Sequence, residues 1–136
     1  MNKKYTQIKP IEPINLANAI ITPDGTILQS NHRWDYKEHT DKNGFTYMID
    51  GGIDFSIRLS SDVKATRIVI TSDHNHTLIR EWFSWGSYGR NGDEPLHWIK
   101  LKDMTTEHVK NVIDGGCSLR YDFVFKNELE WRNQVD

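Results

Sequence analysis

Hydrophobic and polar positions alternate, or form short β-branched runs, through most of the first half of the chain. Two turn sequences, Pro23-Asp24-Gly25 and Asn43-Gly44, divide this half into pairs of such segments. Because Pro-Asp-Gly and Asn-Gly favour tight turns, each pair is predicted to form a β-hairpin. With two further strand patterns, the first half is predicted to be an antiparallel meander. The predicted strands cover residues 17–22, 26–30, 33–40, 45–50, 54–60 and 66–71.

The hydrophobic period changes to that of a helix after residue 72. Apolar side chains at i, i+1, i+4 and i+5 form one helix face, which a globular protein buries. Asp73 is the predicted N-cap of this helix, and Gly86 is its predicted C-terminal stop. The residues of the face are Leu78, Ile79, Trp82 and Phe83.

A strand and one or two further helices are predicted to follow. Residues 96–101 alternate as a strand does. Thr105 is the predicted N-cap of the next helix, which is expected to end at Gly115-Gly116. Residues 118–133 fit both a strand and a helix, and the polar tail of this segment favours the helix.

The predicted fold class is α+β. Residues 1–16, which contain Pro10 and Pro13, are predicted to be an N-terminal arm, and residues 17–136 a single domain. The architecture expected is an N-terminal antiparallel β-meander of hairpins, followed by two or three helices with one intervening strand.

Composition narrows the classes of partner. The formal net charge is −2 over 136 residues, which argues against a nonspecific binder of DNA or RNA but leaves room for a small anionic ligand. No apolar run approaches the roughly 20 residues of a membrane span, and residues 1–5 lack the apolar core of a signal peptide. The single cysteine, Cys117, excludes an intramolecular disulfide and a cysteine-rich zinc site. These features predict a protein of a reducing cytosol.

Residues 80–95 carry the most distinctive chemistry of the chain. Four aromatic side chains run into three glycines, with arginines and an asparagine interleaved. Rings and guanidinium planes stack on bases, and arginines and backbone N–H groups bind phosphate, so the segment suits a nucleotide. The alternative interpretation is a helix end packed on the core, followed by a glycine-rich turn. The candidate ligand-binding residues of the segment are Phe83, Trp85, Tyr88, Arg90 and Asn91.

Two further arginines are candidates from outside this segment. Arg58 lies on the face of its predicted strand opposite the apolar residues, and Arg120 opens the last element. Each alone is typical of a solvated surface. Several cations that converge on one cleft would form an anion site.

A catalytic alternative rests on Asp73, His74 and His76. Histidines at i and i+2 bind a metal best from one face of a strand, and a third ligand is needed to complete the site. The other interpretation is that these polar residues begin the helix. The chain contains no nucleophile-elbow serine motif and no phosphate-binding Walker loop.

Several distinctive runs of the sequence are similar to small proteins of tailed phages. These runs cover residues 31–41, 47–55, 85–96, 101–108 and 127–132. The functional family that the chain resembles is the anti-Thoeris sponge family of phages. Its members sequester cyclic ADP-ribose isomers, and some hold cyclic oligonucleotides, without cleaving them. They assemble from dimers into higher oligomers.

The resemblance implies a binding mode for the ligand. An adenine would stack between an aromatic ring and an arginine, while asparagine and arginine side chains contact ribose and phosphate. The matching candidates are one of Phe83, Trp85 and Tyr88 with Asn91, and with Arg58 and Arg120. Trp34 departs from the histidine expected there, and residues 55–58 replace an arginine-rich stretch.

Taken together, these features predict a phage anti-defence protein of the host cytoplasm. It is expected to bind and sequester a small cyclic nucleotide signal as a homo-oligomer, with no catalytic residues, metal or cofactor. It is expected to bind no nucleic acid polymer and no membrane. The alternatives are a metal-dependent phosphodiesterase acting on a cyclic nucleotide and a protein-binding inhibitor of a host enzyme.

Overall fold

The computed structural model describes residues 6–32, 34–52, 65–89, 91–116 and 119–134. The chain divides into two units: Asn15–Thr71 form one, and the residues up to Ile14 together with those from Ser72 onward form the other. The strands of the described ranges are β1 (Asn15–Ile21), β2 (Ile27–Gln29), β3 (Lys37–Thr40), β4 (Thr46–Ile49), β5 (Thr66–Thr71), β6 (Ser84–Ser87) and β7 (His97–Lys100). The helices are α1 (His76–Trp82), α2 (Thr106–Gly115) and α3 (Asp122–Gln134).

The unit of residues 15–71 consists of two antiparallel sheets. β1 pairs with β2 on one side and with β5 on the other, while β3 and β4 form a separate two-stranded sheet. Both predicted hairpins are confirmed, with Gly25 and Gly44 at positive φ in their turns. The predicted strand over residues 66–71 is also confirmed. Its pairing with β1 brings together segments about fifty residues apart in the sequence, which no local pattern encodes.

β1 is the central strand of its sheet and is buried along most of its length. Residues 16–20 are all buried, as expected for a strand covered on both faces. The side chain of Asn18 is among them, and its Nδ2 donates to the carbonyl of Gly52 at 3.1 Å. A cluster of buried apolar residues draws on both sheets: Ile20, Leu28, Tyr47 and Ile49. The predicted strand over residues 54–60, which carries Arg58, lies outside the described residues.

The second unit contains the three helices and the β6–β7 pair. The α+β fold class is therefore confirmed, with antiparallel strands first and then three helices, of which the first two are separated by the strands β6 and β7. The predicted strand over residues 96–101 corresponds to β7. No helix within the described ranges is long and apolar enough to cross a membrane.

α2 begins and ends at the predicted residues. The Thr105 hydroxyl accepts a hydrogen bond from the backbone N–H of His108 at 3.1 Å, and Gly116 ends the helix at φ +67°. Most of the ambiguous segment lies in α3, because the helix buries one side of it, including Val124 and Phe125. Leu119–Tyr121 form a short 3-10 helix just before α3.

The first helix is shorter than the hydrophobic period predicts. Its N-cap is Asn75, whose side chain accepts from the N–H of Thr77 at 2.9 Å, so the prediction of Asp73 was wrong. The helix ends at Trp82 because the chain then becomes β6, which pairs with β7. Gly86 lies inside this strand and does not terminate the helix.

The packed face predicted for this helix is only half correct. Ile79 and Phe83 are buried, but Leu78 is 39% exposed and Trp82 is only partly buried. The Lys100 ammonium instead lies 5.2 Å from the centroid of the Trp82 ring.

Candidate functional site

A pocket of about 620 Å³ lies in the helical unit, between the β6–β7 hairpin and the first turns of α2. This volume falls in the range of small-molecule sites. The hairpin and its loop contribute Ser87, Gly89, Glu94, His97 and Ile99, and the helix contributes Thr105, Glu107, His108, Asn111 and Val112.

The strand side of the pocket follows from the pairing of β6 with β7. Ser87 and His97 are cross-strand partners, and Ile99 lies two residues further along the same face of β7. The Ser87 hydroxyl accepts a hydrogen bond from the N–H of Gly89 at 3.1 Å. Nδ1 of His97 lies 3.3 Å from the carbonyl oxygen of Pro95. Since a carbonyl oxygen can only accept, this contact makes Nδ1 the donor and leaves Nε2 as the acceptor of the neutral ring.

The loop between the two strands brings a carboxylate to the pocket. The backbone N–H of Glu94 donates to the carbonyl of Tyr88 at 2.8 Å, which closes the loop. Gly89 has φ +86°, and a Cβ added there would collide with the Glu94 carboxyl group. Only glycine therefore allows the Glu94 side chain to lie against this backbone.

The helix side of the pocket presents two pairs of residues one turn apart. Glu107 and Asn111 form one pair, and His108 and Val112 form the other. Side chains at i and i+4 lie on the same helix face, with their Cβ atoms roughly 5–6 Å apart. Val112 is buried, so an apolar side chain of the pocket lies beside the polar side chains of the same helix.

The ionisable side chains of the pocket are two carboxylates and two imidazoles. None of the described lining residues is a lysine or an arginine. The lining therefore favours neutral, hydroxyl-rich or amide-bearing parts of a ligand over a cluster of phosphates.

The aromatic residues of the predicted site divide between the core and the surface. Phe83 is 3% exposed and packs against Tyr121 and Phe125, with ring centroids 5.6 and 5.8 Å away. Trp85 meets Phe125 edge-on at 5.0 Å. Tyr88, by contrast, is 56% exposed. In the sequence it lies between Ser87 and Gly89, which line the pocket.

The polar candidates are more dispersed. Asn91 is exposed in the same loop as Gly89 and Glu94. Arg120 is exposed and its guanidinium lies 5.6 Å from the Tyr121 ring, and it is not a lining residue of the pocket. Arg58 and Arg90 lie outside the described residues. Tyr88 and Asn91 lie in the loop that joins β6 to β7, but neither is among the residues that line the pocket.

Sequence reasoning missed most of the residues that line this pocket. His97, His108 and Asn111 were not singled out as ligand-binding candidates, because each alone is an ordinary polar surface residue. A usable signal exists in the helix. Once Thr105 is recognised as an N-cap, the spacing of Glu107 and Asn111 places both on one face.

A second polar cluster is built around Glu128 of α3. The Glu128 and His76 side chains have no exposed surface, and Nε2 of His76 lies 2.9 Å from Oε1 of Glu128. Arg80 donates to the same carboxylate through Nη2 at 2.9 Å, and Arg132 through Nε at 2.6 Å. Arg132 also donates to the carbonyl of Met104 at 2.7 Å. The cluster therefore ties α1, α3 and the segment before α2 together.

The contact with Glu128 holds the His76 side chain inside the protein. Within the described ranges, no three histidine, cysteine, aspartate or glutamate side chains are grouped as metal ligands would be. Asp73, His74 and His76, the residues considered for a metal, therefore do not form such a group.

Burial and hydrogen bonding act in opposite directions on Glu128. Burial raises the pKa of its carboxyl group, but hydrogen bonds from His76, Arg80 and Arg132 favour the charged form and outweigh it. The net effect lowers the pKa of Glu128 from 4.5 to about 2.

The free energy of unfolding is expected to fall as the pH drops from 4.5 towards 2. Because the folded-state pKa of Glu128 is depressed, its contribution is complete above the unfolded pKa and is lost on the way down. The shift corresponds to about 3 kcal/mol. Urea unfolding between pH 7 and pH 2 measures this loss of stability.

The control is the Glu128→Gln variant, because Asp24 and Asp41 also have lowered pKa values. The difference between the stability profiles of wild type and this variant isolates the contribution of Glu128. Parallel profiles would contradict the expectation.

The two polar clusters differ in their access to a ligand. Glu128 and His76 are sealed inside the unit, whereas His97 and Asn111 of the pocket are exposed. The pocket is therefore the candidate functional site, and the Glu128 cluster is a structural network. No protein-family model, curated protein or solved structure matches this chain.

Proposed function

We propose that this protein binds a small cyclic nucleotide in the pocket beside α2 and sequesters it without cleaving it. The observation that carries the proposal is the 620 Å³ pocket, whose lining combines amide, carboxylate, imidazole and hydroxyl groups. Two of the lining residues, Ser87 and Gly89, are the sequence neighbours of the exposed Tyr88. The ligand class is a cyclic ADP-ribose isomer or a cyclic oligonucleotide. The setting is a phage protein that removes an immune signal in the host cytoplasm.

Each part of a nucleotide has a proposed chemical counterpart in this pocket or in the loop between β6 and β7. An asparagine amide such as that of Asn111 offers the donor and the acceptor that match the edge of adenine. Carboxylates such as Glu94 and Glu107 accept hydrogen bonds from ribose hydroxyls. The exposed ring of Tyr88 provides a stacking surface for a base. Arg90, which follows the lining residue Gly89 in the sequence, is the cation proposed for the phosphates.

Sequestration requires affinity and number of sites, since no turnover takes place. A Kd on the order of 1 nM corresponds to about −12 kcal/mol. One stacked base contributes about 1–3 kcal/mol, so several desolvated hydrogen bonds must add to the stacking. Assembly into dimers or larger homo-oligomers would multiply the sites per particle and bury more of each ligand.

Binding and release of the intact ligand test this proposal directly. The full chain is titrated by calorimetry with cyclic ADP-ribose isomers, cyclic di-AMP and 3′,5′-cyclic AMP. The complex is then heat-denatured and the supernatant is analysed by liquid chromatography. We expect tight binding and recovery of the intact ligand. A linear product would instead assign acid–base chemistry to His97 and His108, and no binding by any ligand would refute the proposal.

Removing the amide of the pocket is expected to weaken binding. The Asn111→Ala variant loses a two-bond contact with the base, and the loss of such a contact costs about 1–3 kcal/mol, or roughly 5- to 150-fold in Kd. Calorimetric titration with the ligand that binds wild type measures the change. The matched control is Asn43→Ala, because Asn43 is also exposed but lies in the β3–β4 turn of the other unit. Equal affinities of the two variants would place the ligand elsewhere.

A further inference from the structure

The carboxylate of Glu107 occupies a distinctive place in the pocket. It lies in the first turn of α2, one helical turn before Asn111, and both side chains line the same cavity. We infer that Glu107 makes the pocket selective for ribose over deoxyribose. This inference rests on the proposed function, because it assigns a specificity to the same site.

The spacing of the two residues matches two adjacent parts of one ligand. Residues at i and i+4 hold their Cβ atoms roughly 5–6 Å apart on the same helix face. If the Asn111 amide binds the base, the lining side chain one turn towards the N-terminus of the helix is placed to reach the sugar. Glu107 is that group, because the helix axis fixes its position relative to Asn111.

No group within the described ranges of the chain uses the side-chain hydrogen-bonding capacity of this part of the pocket. Among the described residues, the side chains of Glu107 and Asn111 make no hydrogen bond or ion pair with one another or with a neighbour. Glu128 differs in this respect, since His76, Arg80 and Arg132 all contact its carboxylate. A ligand that enters the pocket therefore meets a carboxylate acceptor that no described residue occupies.

The charge of Glu107 determines which group it accepts. An ionised carboxylate only accepts hydrogen bonds, so it pairs with hydroxyl donors and repels phosphate oxygens. The second carboxylate, Glu94, adds to this preference on the loop side of the pocket. A ribose 2′-hydroxyl satisfies Glu107, whereas a deoxyribose leaves it facing a C–H group. Hydrogen bonds to charged groups are worth enough to separate the two sugars by about 10- to 100-fold in affinity.

The selectivity is measured with matched pairs of probes on the full chain. The pairs are 3′,5′-cyclic AMP with its 2′-deoxy analogue, and cyclic di-AMP with its bis-2′-deoxy analogue. We expect wild type to bind the ribose member of a pair about 10- to 100-fold more tightly. Glu107→Ala is expected to reduce this ratio to about threefold or less by weakening only the ribose member. The ratio is taken within one variant, so a small change in stability cancels.

The control variant is Glu130→Ala, which removes an exposed carboxylate from α3, away from the pocket lining. It should keep the wild-type ratio. Equal binding of ribose and deoxyribose probes by wild type, or an unchanged ratio in Glu107→Ala, would overturn the inference while leaving the proposed function intact. Failure of both pairs to bind would overturn the inference. Failure of the cyclic ADP-ribose isomers as well would remove the proposed function.

Discussion

Replacing Glu128 with alanine is expected to lower the free energy of unfolding by about 3–5 kcal/mol. The substitution leaves the buried His76 and the partly buried Arg80 and Arg132 without the carboxylate that contacts all three. A partly buried cation that loses its counterion keeps the cost of its lost hydration without the compensating ion pair. Urea unfolding at pH 7, followed by tryptophan fluorescence, measures the loss.

Two other variants serve as controls for this stability measurement. Glu130→Ala removes an exposed carboxylate from the same helix and should change stability by no more than about 0.5 kcal/mol. Glu128→Gln keeps the size and some hydrogen bonds but not the charge, so its cost should be intermediate. A Glu128→Ala variant as stable as Glu130→Ala would show that the cluster contributes no stability.

The second large effect is expected for Phe83→Ala, which should cost about 3–5 kcal/mol of stability. Phe83 is 3% exposed, and its ring lies against Tyr121 and Phe125, so truncation creates a cavity in the core of the helical unit. Chemical unfolding gives the stability change. Calorimetric titration of the folded variant gives its affinity for the same cyclic nucleotide that binds wild type.

Tyr88→Ala is the matched control for this prediction. Tyr88 is 56% exposed in the β6–β7 loop and is the ring proposed to stack on the base, so its truncation should leave stability within about 0.5 kcal/mol and weaken binding instead. The Phe83 substitution is thus expected to change stability, and the Tyr88 substitution to change affinity. A stable Phe83→Ala variant that binds no nucleotide would reverse this assignment and return Phe83 to the ligand site.

The hairpins of the first half and the limits of α2 were predictable because their signals are local. Gly25 and Gly44 supply the positive φ angles of the two turns, and the Thr105 side chain caps the helix that follows it. Each of these features depends on contacts within a few residues. The α+β class follows from them and from the change of period halfway along the chain.

The end of α1 and the start of β6 were not predictable in the same way. The segment 78–83 has the apolar spacing of a helix, yet residues 84–87 form a strand because His97–Lys100 lie alongside and pair with them. Backbone hydrogen bonds between partners ten to sixteen residues apart outweigh the local preference. The same pairing places Ser87 next to His97 and thereby forms one side of the pocket.

The sequence alone determined the elements, their caps and turns, and the unusual chemistry of residues 80–95. Only the tertiary structure decided which of those aromatic rings fill the core and which remain exposed. It also decided that a loop carboxylate, a strand histidine and one face of α2 meet in one pocket. The physical reason is that caps and turns are satisfied by neighbouring backbone groups, whereas burial and convergence depend on contacts between segments that are distant in the sequence.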